Sequence, residues 1–143
     1  MKYKLFLVSL IFSCSFFLNS ESARSISSDE AYLYFITPDN DQLLSSPVRV
    51  QFGLRGMGVA PAGVDIKNTG HHHLLVNTKN LPDLNKPIPS DSKHIHFGRG
   101  QTEVSLELKP GTHTLRLILG DKYHIPHNPP VISEPITINI QKN

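Results

Sequence analysis

Cysteine is nearly missing: the chain has one, Cys14, in 143 residues. It falls inside an N-terminal stretch that reads as an export signal, so the cleaved chain carries no thiol. Disulfide staples, thiolate zinc ribbons and blue-copper centres all need cysteine and are excluded for that chain. A basic stripe with interleaved aromatics is missing too. Fourteen Lys and Arg against twelve Asp and Glu leave a net charge of +2, so nucleic acid is not expected as a partner. No stretch after the signal approaches the roughly 20 apolar residues that span a bilayer. Nor is there a long amphipathic pattern for a helix. Eleven prolines and nine glycines favour strands and turns instead.

The N-terminus has the three parts of a secretory signal. "MKYK" is basic, "LFLVSLIFSCSFFL" is apolar, and "NSESARS" offers small polar residues for cleavage near Ser22 or Ala23. A lipidated N-terminus at Cys14 is the rival reading. The apolar "SFFL" that follows argues against it, because a lipoprotein tether is polar. The predicted organisation is a signal peptide at 1–23, a short linker at 24–30 and one domain at 31–141, giving a periplasmic or secreted protein. A domain of this size buries a core without covalent staples.

Alternation of period two recurs along the chain and predicts strands with one face in the core and one in water. "VRVQFGL" sets Val48, Val50, Phe52 and Leu54 on one face. "TEVSLEL" does so with Val104, Leu106 and Leu108, "THTLRLILG" with Leu115, Leu117 and Leu119, and "PITINI" with Ile136, Ile138 and Ile140. "AYLYFIT", "HHHLLVN" and "HIHF" complete the set. Strands are expected at 31–37, 48–54, 71–77, 93–97, 101–108, 112–120 and 134–141, with "TPDNDQLLSSP" and "LKPGT" as turns. The predicted fold class is all-β, an antiparallel immunoglobulin-like β-sandwich of six to seven strands. His113 takes the place of the corner tyrosine near the start of the sixth strand, two residues before the core residue Leu115, and is expected to bond to nearby backbone.

In that topology seven of the eight histidines gather near one end of the sandwich, although they are scattered in sequence. His71, His72 and His73 open the third strand, His94 and His96 end the fourth, and His124 and His127 lie in the loop after the sixth. Residues two apart on a strand share a side. If Ile95 and Phe97 face the core, His94 and His96 project together. If His72, Leu74 and Val76 face the core, His71 and His73 form a second pair. The opposite register turns His71, His73 and Leu75 inward, and "LLV" is apolar on both faces, so both registers stay open.

Imidazole suits zinc, copper and nickel, and three or four rings fill a coordination shell at about 2.0–2.1 Å. The candidate metal ligands are His71, His73, His94, His96, His124 and His127, for a copper or zinc ion. Asp121, Glu103 and Asp65 are candidates to orient the rings, and Met57 is a candidate soft ligand. The plain alternative is that such histidines are satisfied core or rim residues, His72 and His113 foremost. "GMGVAPAG" is no phosphate loop, since neither a lysine nor a helix follows it.

"GMGVAPAGV", "GHHHLLV", "LPDLNKPIP", "HIHFGRGQTEVSLEL", "PGTHTLRLILGD" and "HIPHNPPVISEPITINI" resemble the exported bacterial family catalogued as domain of unknown function 4399, over about residues 31–141. The resemblance implies a bacterial, periplasmic protein and no particular activity. Two functions are weighed on the residues themselves. One is a periplasmic metal-binding domain acting as carrier, buffer or sensor of copper or zinc. The other is a non-metal interaction module of the cell envelope, built on a structural histidine network. An enzyme ranks last: no nucleophile sits in a recognisable context and no close carboxylate pair is evident.

Overall fold

The computed structural model describes residues 24–142. The expected signal peptide at 1–23, its cleavage near Ser22 or Ala23 and the alternative at Cys14 lie outside the described residues. Nine strands follow in chain order: β1 Tyr32–Thr37, β2 Gln42–Leu44, β3 Val48–Arg55, β4 Gly58–Val59, β5 Thr69–Val76, β6 His94–His96, β7 Glu103–Leu106, β8 Gly111–Gly120 and β9 Ile136–Ile140. Among the described residues no helix is long and apolar enough to cross a membrane.

The alternating segments form two sheets, as an all-β sandwich requires. β1, β3 and β7 make a three-stranded sheet, and the larger sheet runs β2-β9-β8-β5-β4 with β6 also paired to β5. Pairing is antiparallel except for the short β2–β9 and β4–β5 ladders, which are parallel. Between the sheets lie the residues expected from alternation. Val48, Val50 and Phe52 meet Leu74, Val76, Leu115, Leu117, Leu119, Ile138 and Ile140. Leu54, Val104, Leu108 and Ile136 pack at the margin of this core.

Three features depart from the simple alternating picture. β2 arises inside a segment read as a turn, and β4 where no strand was expected. At three and two residues they are too short to show a period. β6 hydrogen-bonds to β5 rather than to β7, and that sets His96 directly opposite His73. Finally, β5 is buried on both faces. Leu75 and Ile118, on the outer face of the larger sheet, join Ile88 in a second apolar cluster with Leu84 and Ile132 against it. The 77–93 crossover supplies that cover, so the outer face of β5 is not in water.

The corner works as its position predicts. The His113 Nε2–H donates to Lys109 O at 2.8 Å, and Nδ1 accepts from Asn77 Nδ2 at 2.9 Å. Asn77 Oδ1 in turn accepts from Thr114 N at 2.9 Å. Each bond is worth roughly 0.5–1.5 kcal/mol net, and the site is partly wet. His113→Ala is therefore expected to cost about 1 kcal/mol in urea unfolding. No loss in that measurement would show that the corner bonds add nothing to stability.

Candidate metal centre

β5 positions three consecutive histidines. Alternation sends His72, Leu74 and Val76 into the main core and leaves His71, His73 and Leu75 on the other face. All three rings are fully buried. His72 lies against Phe52, ring centroids 4.7 Å apart, and serves as a core residue.

On the outer face the rings converge. His71 Nε2 and His73 Nε2 are 3.0 Å apart. β6 lays His96 beside them, its ring centroid 5.0 Å from each. The turn after β8 brings His124 to 4.9 Å from His71, 4.7 Å from His96 and 6.0 Å from His73. His71, His73 and His96 each offer a ligand nitrogen, and these nitrogens all lie within 4.8 Å of one another. Two nitrogens bound to one tetrahedral ion at 2.0–2.1 Å stand about 3.3 Å apart. The His71–His73 pair is close to that spacing, so the residues present fit a small transition-metal ion.

Two glycines make room for the rings. A Cβ on Gly120 would sit 2.9 Å from His73 Nε2 and 3.4 Å from His124 Cα. A Cβ on Gly98 would sit 2.3 Å from His96 Cε1. Residues bearing a side chain are therefore crowded out at both positions. The sequence carried a signal for this, a glycine two residues after His96 and another four before His124, but the ring positions that give it meaning are not legible there.

Burial sets the charge state. It pushes His71 down from 6.5 to about 4, with repulsion from His124 and His96 adding to the effect and Asp121 opposing it. His72 falls to about 4 through burial alone. His73 falls to about 2 through burial and then its neighbours His71, His96 and His124. Burial and then His124 lower His96 as well. At neutral pH these rings are uncharged and keep lone pairs for a Lewis acid. Buried imidazole nitrogens without a hydrogen-bond partner include Nδ1 of His71 and of His73 and Nε2 of His96. Each such group costs roughly 1–3 kcal/mol; an ion held by the converging Nε2 atoms of His71 and His73 would relieve that cost at His96 Nε2 and leave the two Nδ1 atoms as they are.

The other candidates sit apart from this group. His94 shares the face of His96 but pairs with Leu75 one step along, and its Nδ1 lies 2.8 Å from Asp91 Oδ1. His127 is buried, with Nε2 donating to Thr69 O at 3.1 Å. Of the proposed orienting carboxylates, Asp121 organises the turn that bears His124. Glu103 is on the smaller sheet, taken up by Arg49 at 2.7 Å and Gln51 at 2.9 Å. Asp65 pairs with Lys122. None of the three bonds to an imidazole: Glu103 and Asp65 each have a cation within reach, and Asp121 is taken up by Ser25 and by the backbone of Tyr123 and Ile125. Met57 packs against the main core, on the far side of β5 from the ring cluster.

These features define a class: an all-β sandwich with a buried imidazole group on the outer face of its larger sheet. The chain belongs to the family described as Domain of unknown function (DUF4399), whose model matches residues 50–141. The match starts within β3 and takes in every histidine of the cluster. No curated protein and no solved structure matches the chain.

Proposed function

We propose that this is an exported, periplasmic or secreted domain that binds one copper or zinc ion, as carrier, buffer or sensor. The observation that carries the reading is the set of ligand nitrogens on His71, His73 and His96 lying within 4.8 Å of one another. His71 and His73 stand on β5, an interior strand paired with β8 and with β4 and β6, so the half-site is rigid before any ion arrives. His96 and His124 are only partly buried, which leaves an ion a way in and out. Export rests on the basic, apolar and polar blocks of residues 1–23.

The test is elemental analysis of protein made without a tag, followed by thermal unfolding with zinc(II) or copper(II). One ion per chain is expected. An ion at about 100 times its dissociation constant contributes about 2.7 kcal/mol, or a rise of roughly 8–14 °C in a domain of this size. His71→Ala/His73→Ala removes the rise. Absence of both a bound ion and a thermal shift sinks the proposal.

The direct His71–His73 contact supports a second reading, a hydrogen-bonded network in an envelope interaction module. Binding of an envelope component that survives strong chelation would favour it.

A further inference from the structure

We propose that His124 is the closing ligand of the metal centre and that the segment 24–28 latches it through Asp121. The inference rests on the metal reading above and adds the fourth nitrogen and the device that holds it.

The three nitrogens within 4.8 Å of one another come from paired strands, whereas His124 comes from a turn. Its ring nonetheless stands as near to His71 and His96 as those two stand to each other. His124 has φ of 67°, a left-handed conformation that a non-glycine residue adopts only when its surroundings fix it. Asp121 fixes it. Its backbone N–H donates to Ile125 O at 2.9 Å and its carbonyl accepts from His124 N at 2.8 Å. Its Oδ1 accepts from Tyr123 N at 2.9 Å and Ile125 N at 3.0 Å. On the other side, Ile88 N donates to His124 O at 2.8 Å.

The remaining carboxylate oxygen, Asp121 Oδ2, accepts from Ser25 Oγ at 2.8 Å. Around that bond the segment expected to be a linker runs along the loop that follows His124. Arg24 Nε donates to Pro126 O at 2.9 Å and its guanidinium also meets His127 O. Asn128 N donates to Ser25 O at 2.9 Å, and Ser27 Oγ to Pro129 O at 2.8 Å. Asp121 is the one buried carboxylate among the described residues. It follows Gly120, the partner of His71 across the ladder. Four neutral rings leave a divalent ion uncompensated, and Asp121, next in the chain to Gly120, brings a carboxylate to that end of β8 without giving up its own hydrogen bonds. It is a positioning residue, and His124 is the ligand.

The test titrates zinc(II) against a competing chelator and records the copper(II) electron paramagnetic resonance spectrum. Variants are His124→Ala, the gentler His124→Gln, Asp121→Asn, and Arg24→Ala/Ser25→Ala. Loss of His124 should weaken zinc binding at least about 10- to 100-fold and reduce the copper nitrogen pattern from four to three. Asp121→Asn keeps the shape and removes the charge. It should weaken binding about 10-fold or more with the four-nitrogen pattern intact. The Arg24/Ser25 variant should release zinc faster in stopped flow, again with four nitrogens. A wild-type chain that takes up no ion overturns the function proposed above. A wild-type chain that binds one ion, with His124 variants of equal affinity and unchanged spectrum, overturns the closing ligand alone. Unchanged release from the Arg24/Ser25 variant overturns the latch.

Discussion

Phe52→Ala is expected to lower the unfolding free energy by about 3–5 kcal/mol, the range for removing a large aromatic from a closed core. Phe52 is 1% exposed and stands on the smaller sheet. Its ring meets Phe97 at 4.9 Å and His72 at 4.7 Å, so it joins the smaller sheet to β5 and to the residue after β6. Truncation leaves a cavity walled by residues held in two hydrogen-bonded sheets, which collapse poorly around it. Urea unfolding at fixed pH measures the loss. A drop below about 1 kcal/mol would mean that the sheets close over the gap. Domains hold only about 5–15 kcal/mol in total, so a loss of this size removes a large share of the stability.

The metal-free protein is expected to lose stability steeply on mild acidification. In the unfolded chain histidines titrate near 6.5. In the fold, burial holds His71 and His72 near 4 and His73 near 2. Between those values the unfolded state binds more protons than the folded one, so stability rises with pH. The contribution of these rings is complete above pH 6.5 and is lost as pH falls toward 4. Each fully displaced ring gives a slope of at most about 1.4 kcal/mol per pH unit, and the three rings together give a loss on the order of 6 kcal/mol between pH 7.5 and pH 5. Urea unfolding at the two pH values, after dialysis against chelator, reads it directly. His72→Leu provides the control. It takes one titrating ring out of the main core and should flatten the acid limb. An acid limb unchanged by this substitution, or none at all in the parent, would show that the rings titrate normally.

Much of the sandwich was legible because its strands alternate. Val48, Val50 and Phe52, or Leu115, Leu117 and Leu119, announce one apolar face each, and those faces meet in the core. β5 was ambiguous for a physical reason. Its outer face is covered by Leu84 and Ile88 from the crossover that follows it and by Ile132 from a distant loop, so its apolar pattern has no period to read. The convergence of histidines followed from topology, and His71, His73, His96 and His124 do meet. What the spacing did not reveal was rank among them. His94 repeats the orientation of His96 but lies next to Asp91, three residues back, which offers it a nearer partner than the cluster. His127 is turned to the Thr69 carbonyl. The role of residues 24–28 was also hidden, since Arg24 and Ser25 pair with groups about a hundred positions away.

The tandem "HHH" of β5 divides its labour by parity: the middle ring fills the sandwich interior while the two flanking rings serve the cluster. A slide of that strand by a single position would exchange the two duties, burying the flanking rings among hydrocarbons and leaving one imidazole where the cluster now has two. Length changes inside this strand are thus far more damaging than changes in the exposed 61–68 loop before it. Repeating the same residue three times offers no insurance against misalignment.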